Sequence, residues 1–245
     1  MKKALITGGN RSIGFETVRQ LLQKGFYVYM GSRDLAKGVE AVDMLRAEGL
    51  THVKAVHIDM ADEASIINAR VEIGNETEVL DVLINNAGIN GGLPQTATGT
   101  DISVFREVFE TNVFGLVLVT QTFMDLLKKS EQPRIVNVSS GGSSLTLNSD
   151  PSWKYYHHKG AVYPPSKAAL NMYTIVLAYE LRDTPLKVNA VDPGFTSTDF
   201  NQHRGTGSVE EAAARLVKYA VIGTDGPTGK FISEEHNPET GDIPW

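Results

Sequence analysis

Cysteine does not occur in the 245-residue chain. Disulfides, thiolate nucleophiles and cysteine-based zinc or iron–sulfur centres are therefore excluded. Long apolar runs are also missing: none approaches the roughly 20 residues that a membrane-spanning helix needs, and Met1-Lys2-Lys3-Ala4-Leu5-Ile6-Thr7 does not read as a secretory leader. A soluble, cytoplasmic protein is expected. No basic block occurs, and 23 Lys and Arg against 29 Asp and Glu leave a formal charge of −6. Neither nucleic acid nor a membrane is an expected partner. Glycine, by contrast, is plentiful at 23 residues, and its placement carries the first positive signal.

Ala4 to Thr7 reads as a short buried strand that runs into Gly8-Gly9-Asn10-Arg11-Ser12-Ile13-Gly14. A helix follows, with Val18, Leu21 and Leu22 on one face and Gly25 behind its end, and Phe26 to Met30 is the next strand. The alternation continues with strands at Val53–Ile58, Leu80–Asn85, Ile135–Ser139, Lys187–Val191 and Gly229–Ser233. Helices at Glu63–Ile73, Phe105–Leu127, Ser166–Leu181 and Val209–Tyr219 fall between them. Apolar strands joined by helices call for a parallel sheet covered on both faces. The expected fold is a Rossmann-like, doubly wound α/β sheet of about seven strands in three αβα layers, one domain over residues 1–245.

In such a sheet ligands bind beyond the carboxyl ends of the strands. The turn Gly8 to Gly14 lies there, and the helix beginning near Ser12 to Gly14 aims free N–H groups and its positive dipole end at a pyrophosphate. The spacing is Gly-x-x-x-Ser-x-Gly, so a plain strand-to-helix connector is the competing reading. Asn85-Asn86-Ala87-Gly88 closes another strand, with small residues that admit a ribose. Asp59 is placed to accept from an adenine amino group with Met60 beside the ring; a helix cap and a turn are the plainer readings. After the second strand the chain reads Gly31-Ser32-Arg33-Asp34, with no acid at Ser32. Arg33 and Arg11 suit a ribose 2′-phosphate, which predicts NADPH or NADP+ over NADH. Asp34 either caps the next helix or turns inward to oppose that phosphate.

Tyr163-Pro164-Pro165-Ser166-Lys167 places a phenol and an ammonium on one helical face, with the prolines in a first turn that lacks partners for N–H groups anyway. An ammonium about 4 Å from the phenol, at an effective dielectric near 20, favours phenolate by about 4 kcal/mol. That attraction would bring the tyrosine toward neutrality, where it can give or take a proton. Ser139-Ser140 at a strand end and Asn112 within an apolar helix supply further polar groups.

Together these residues resemble the short-chain dehydrogenase/reductase family over nearly the whole chain. Thr7-Gly8 with Gly14 is similar to its glycine motif, Asn85-Asn86-Ala87-Gly88 to its sheet-end motif, and Asn112, Ser140, Tyr163 and Lys167 to its catalytic tetrad, with Ser139 as the alternative serine. The likeness is greatest to NADPH-dependent carbonyl reductases. It implies hydride transfer between nicotinamide and an aldehyde, ketone or quinone. By the resemblance Tyr163 protonates the carbonyl oxygen, Ser140 hydrogen-bonds it, Lys167 lowers the tyrosine pKa and holds the ribose, and Asn112 positions a relay water. It also implies cofactor contacts from Gly8, Asn10, Arg11, Ser12, Ile13, Gly14, Arg33, Asp59, Met60, Asn86, Ala87, Gly88, Tyr163 and Lys167, and from Pro193, Gly194, Thr196 and Thr198 of the nicotinamide-side loop. No metal is expected.

Ser12 departs from the family glycine, and any positive φ there costs about 1 kcal/mol or more. Twenty-three positions separate Ser140 from Tyr163, and the long segment holds Trp153, Tyr155, Tyr156, His157, His158 and Lys159. It reads either as a partly ordered surface loop or as an aromatic substrate wall. A small-molecule carbonyl or alcohol is the expected partner, with a homodimer or homotetramer through the two long helices as one assembly and a monomer as the other. A silent NADP(H)-sensing protein of the same fold is the alternative function; retention of both Tyr163 and Lys167 argues for the enzyme.

Overall fold

The structure, a computed structural model, describes residues 1–245. Seven strands form one parallel sheet: β1 (Lys3–Ile6), β2 (Tyr27–Ser32), β3 (Val53–His57), β4 (Val82–Asn85), β5 (Arg134–Val138), β6 (Lys187–Val191) and β7 (Phe231–Ile232). Their order is β3-β2-β1-β4-β5-β6-β7, so the winding direction reverses between β1 and β4, as expected for a doubly wound sheet. The helices are α1 (Ser12–Gln23), α2 (Leu35–Ala47), α3 (Glu63–Glu76), α4 (Ile102–Phe109), α5 (Gly115–Leu127), α6 (Leu145–Ser149), α7 (Tyr163–Glu180) and α8 (Val209–Ala220).

Side-chain alternation along each strand divides the core in two. Leu5 faces the layer of α3, α5 and α7, where Ile66, Phe123 and Leu170 are buried. Its neighbours Ala4 and Ile6 face α1, α2 and α8, where Leu21, Leu45 and Leu216 are buried. Both faces are dry, which is why the strands read as continuous apolar runs. No helix is long and apolar enough to cross a membrane.

Two elements differ from the sequence expectation. The helix expected from Phe105 to Leu127 is interrupted by a π-helical turn at Glu110–Phe114 between α4 and α5. Asn112 lies in that turn and is completely buried. The helix after Asp34, to which the hydrophobic pattern assigns no range, is α2; Leu35, Val39 and Met44 on it are exposed, so its apolar residues do not define a single stripe. Asp34 itself caps α2, accepting from Lys37 N–H at 3.2 Å. It is thus directed into the helix start, and the inward-facing alternative for this acid is not what the fold adopts.

Candidate active site

The turn after β1 is held from β4. Thr7, fully buried, accepts through its hydroxyl from the N–H groups of Asn86 and Ala87, both at 3.0 Å. The Asn86 amide donates to the Thr7 and Gly8 carbonyls at 2.9 and 3.0 Å. Gly14 has no space for a side chain: a Cβ would lie 2.2 Å from the Gly8 oxygen. The first intrahelical bond of α1 runs from Phe15 N–H to the Arg11 oxygen at 3.1 Å, so the N–H groups of Ser12, Ile13 and Gly14 stay open at the strand ends. This cradle fits a pyrophosphate anion. Ser12 takes a left-handed φ of +48°, the strain that its replacement of glycine foretold. Asn10 is half-buried; Arg11 and Arg33 are exposed beside the turn and the end of β2, free to reach a ligand.

Asp59 is half-buried and bends back to accept from Ala61 N–H at 3.0 Å. Met60 is only 5% exposed and packs with the core. Gly115 of α5 lies against it, since a Cβ there would come within 2.7 Å of the Met60 Cβ. Its chief contacts are therefore with the protein interior.

The four tetrad residues converge. Asn112 accepts from Ile89 N–H at 2.9 Å and donates to the Ile89 oxygen at 2.9 Å and the Ser166 hydroxyl at 3.0 Å. A Cβ on Gly88 would lie 3.2 Å from the Asn112 carboxamide oxygen and 3.5 Å from the Lys167 nitrogen, so Gly88, Asn112 and Lys167 meet at one point. Lys167 is 3% exposed and donates to the Val138 carbonyl at 2.8 Å. The two serines separate cleanly. Ser139 is buried and donates to Asn171 at 2.6 Å, whereas Ser140 is half-buried, with its hydroxyl beside the Tyr163 phenol.

The start of α7 explains how Tyr163 is aimed. Gln95, buried, accepts from the N–H groups of Val162 and Tyr163 at 3.2 and 3.1 Å. Pro164 and Pro165 have no N–H, and Ser166 N–H reaches the Val162 oxygen at 3.1 Å. Every donor of the first turn is satisfied, with one partner supplied from 67 residues away.

The proton balance of the pair differs from the simple attraction argued above. Burial pushes the Tyr163 phenol well above its ordinary range, the Asp192 carboxylate adds to that, and the Ser140 hydroxyl opposes it. Burial lowers Lys167 to about 8. The ammonium lies 5.9 Å from the tyrosine ring centre and is committed to Val138, so desolvation outweighs the mutual attraction.

On the other side of the cleft Pro193 is buried and Gly194 has φ +87°. Arg215 of α8 donates to the Pro193 oxygen at 2.6 Å. Thr196 and Thr198 are both buried, the former donating to the Gly194 oxygen at 3.2 Å. Phe200 packs edge-on against Tyr163 at 5.2 Å between ring centres. The segment from Gly141 to Val162 is ordered as a 3-10 turn, α6 and successive turns. Its Tyr155 hydroxyl and Lys154 ammonium are both bound to Glu235, which also accepts from Phe195 N–H. Trp153 and Tyr155 pack against His236 at 5.6 and 5.8 Å. His157 and His158 are exposed, and no cluster of acidic or histidine side chains is placed to hold a metal ion.

Gln95, Asp192, Glu235 and His236 are residues the sequence reasoning did not single out. Asp192 alone left a signal, an acid closing an apolar strand directly before Pro193-Gly194.

The chain is similar to known proteins in both sequence and fold. The short chain dehydrogenase family profile matches residues 2–208. The chain is 32% identical to a (+)-neomenthol dehydrogenase of Capsicum annuum, over 94% of each chain. It is 35% identical to the short-chain dehydrogenase anuI of Penicillium roqueforti, over 95% of this chain and 94% of that one. Salutaridine reductase from Papaver somniferum superposes with a TM-score of 0.83 at 29% identity, covering 94% of this chain and 99% of that one. An NADPH-bound carbonyl reductase from chicken fatty liver superposes with a TM-score of 0.85 at 27% identity, over 100% and 99%. With its fold, its glycine turn and its sequence relatives in agreement, the chain belongs to the short-chain dehydrogenase/reductase family of oxidoreductases.

Proposed function

We propose that the protein is an NADPH-dependent reductase of carbonyl compounds, aldehydes, ketones or quinones, with Tyr163 as the general acid. The observation that carries this reading is the meeting of Asn112, Ser140, Tyr163 and Lys167 beside the Gly8–Gly14 cradle. NADP(H) is supported by the NADPH-bound carbonyl reductase it resembles and by the open Arg11 and Arg33. The commitment of Asp34 to capping α2 removes the acid that would oppose a 2′-phosphate.

The residues that would hold the cofactor are Gly8, Asn10, Arg11, Ser12, Ile13 and Gly14 at the pyrophosphate, Arg33 at the 2′-phosphate, and Asp59 toward the adenine. Asn86, Ala87, Gly88, Lys167 and the Pro193–Thr198 loop face the nicotinamide side. The reduced nicotinamide, when bound, supplies a hydride. Tyr163 donates its phenolic proton to the carbonyl oxygen, and Ser140 donates a hydrogen bond to the same oxygen. Lys167, close to losing its own proton at neutral pH, restores the tyrosine through the polar groups around Asn112. Phe200, Trp153 and Tyr155 wall the substrate side.

A panel of aldehydes, ketones and quinones with NADPH, read as loss of the reduced-nicotinamide absorbance, tests the proposal. Turnover that needs Tyr163 is expected. Tight NADPH binding without turnover on any of them would instead establish the silent sensing protein. The exposed Phe114, Met172, Val176 and Tyr179 support self-association through the helices that carry them, and a monomer mass by light scattering would refute it.

A further inference from the structure

A buried carboxylate, Asp192, lies against the Ser140-Gly141 turn without being part of the tetrad. Strands β5 and β6 pair Val138 with Val191, so Ser139-Ser140-Gly141 and Asp192 leave the sheet side by side. Asp192 N–H donates to the Ile232 oxygen at 2.8 Å, which brings in the end of β7. Asp192 is 5% exposed and accepts from Gly194 N–H at 3.0 Å and from the Ser233 hydroxyl at 2.6 Å. The Ser233 oxygen lies 2.8 Å from Nδ1 of His236.

Hydrogen-bond direction assigns the charges. Asp192 accepts from both Gly194 N–H and the Ser233 hydroxyl, as a carboxylate does, and Ser233, its one proton so used, accepts from His236 Nδ1–H. His236 Nε2 is buried with no partner, a position that tolerates a bare acceptor better than a charged N–H group. Burial also holds His236 below the ordinary imidazole range. Burial pushes the Asp192 carboxyl above its ordinary range, while the hydrogen bonds from Ser233 and Gly194 oppose that and hold the carboxylate; with His236 neutral, that ionised form gives the network a net charge of −1. The charged groups around it are Lys154, paired with Glu235 at 3.0 Å, Arg215, bound to the Pro193 oxygen at 2.6 Å, and Lys167 on α7, which keeps its positive charge while donating to the Val138 carbonyl. Contact with the active-site turn is direct. A Cβ on Gly141 would lie 2.4 Å from His236 Cε1 and 3.0 Å from the Asp192 carboxylate, so only glycine seats the residue that follows Ser140.

We propose that Asp192, held by Ser233 and His236, is a positioning residue of the reaction: its buried negative charge keeps Tyr163 protonated, and the network seats the Ser140-Gly141 turn. The reading rests on Tyr163 as proton donor. Its consequence falls on the reverse reaction: the phenolate needed for alcohol oxidation is disfavoured, so oxidation requires alkaline pH.

The first test needs neither cofactor nor turnover. Phenolate absorbance is followed against pH in the protein and in Tyr163→Phe, and the difference isolates Tyr163 from the other tyrosines. Repeated in an Asp192→Asn background, Tyr163 is expected to ionise roughly one pH unit lower. An unmoved titration overturns the proposal. The second test is the alkaline limb of kcat/KM for carbonyl reduction, which moves to lower pH in Asp192→Asn and stays in place in Asp183→Asn, a remote exposed control whose side chain is 86% accessible. A lower rate at every pH with both the titration and the limb unmoved means the carboxylate is only structural and also overturns it. Should Asp192→Asn fail to fold, Asp192→Ser, neutral and smaller, must shift Tyr163 in the same direction. If Tyr163 is not the acid, the first titration still moves while the limb does not, which separates failure of the functional reading from failure of this one.

Discussion

At the Gly8–Gly14 turn the close contacts have the backbone on at least one side, whereas across the cleft residues 141–162 and 193–207 are joined through the Glu235 side chain and through packed rings. The Gly14 position faces the Gly8 carbonyl oxygen, and open N–H groups make the cradle. The opposite wall depends on Glu235 gathering Lys154, Tyr155 and Phe195 N–H, and on rings meeting at 5 to 6 Å. A backbone contact cannot yield without moving two elements of the fold. A side-chain contact contributes about 1 kcal/mol and can be replaced. One half of the cleft is consequently rigid in chemistry and the other adaptable.

Substitutions that strike the two halves separately test that contrast. Tyr163→Phe, at the junction, has the largest expected effect: kcat falls by about 10²–10⁴-fold while NADPH affinity, read by fluorescence titration, stays within a few-fold. Gly14→Ala strikes the backbone side and should weaken NADPH by about 100-fold or more, or about 2.7 kcal/mol, with lowered thermal stability. An unchanged dissociation constant would show that the cradle yields after all.

Lys167 provides a pH signature. In the native protein it loses its proton near 8, and in the unfolded chain near 10.5. Between those values the unfolded state binds more protons, so stability rises with pH across the window and the full cost of burial is present below it. Lys167→Met removes the linkage. Its stability relative to the parent, from urea unfolding, should fall by about 3 kcal/mol between pH 7.5 and 10.5. A constant difference would mean that the ammonium is not desolvated.

Smaller effects follow at the edges of the cleft. Arg33→Ala should reduce the NADPH-to-NADH preference about 10-fold, as expected for losing one charge-assisted contact of about 1.5 kcal/mol; an unchanged ratio assigns the 2′-phosphate elsewhere. Glu235→Gln loosens the adaptable wall and should raise the carbonyl KM about 3- to 5-fold with little change in that for NADPH. Equal changes in both would show the two sides to be mechanically one.

The sheet was legible because its central strands are buried on both faces and helices such as α1, α3 and α8 each bury one side, so periodicity alone separates β1, β4, β5 and β6 from α1, α3 and α8. The glycine turn and the Tyr163–Lys167 pair were legible because local spacing determines their geometry. The π-helical turn was not, because one inserted residue barely disturbs an apolar pattern, although the buried Asn112 lies within it. Ser139 and Ser140 could not be separated by adjacency alone; the neighbours each meets, Asn171 or Tyr163, come from α7.

By itself the sequence determined the doubly wound layers, the nucleotide turn and the residues able to carry acid–base chemistry, all of which follow from local periodicity, backbone freedom and side-chain type. Tertiary structure alone decided that Gln95 caps the helix bearing Tyr163, that Glu235 joins the long segment to the Pro193–Thr198 loop, and that Asp192, Ser233 and His236 meet beneath Gly141. It also set the proton balance of Tyr163 and Lys167. The physical reason is common to all of these. Parallel strands discharge residues far apart in the chain at the same edge of the sheet, and desolvation there depends on everything packed around a group rather than on its neighbours in sequence.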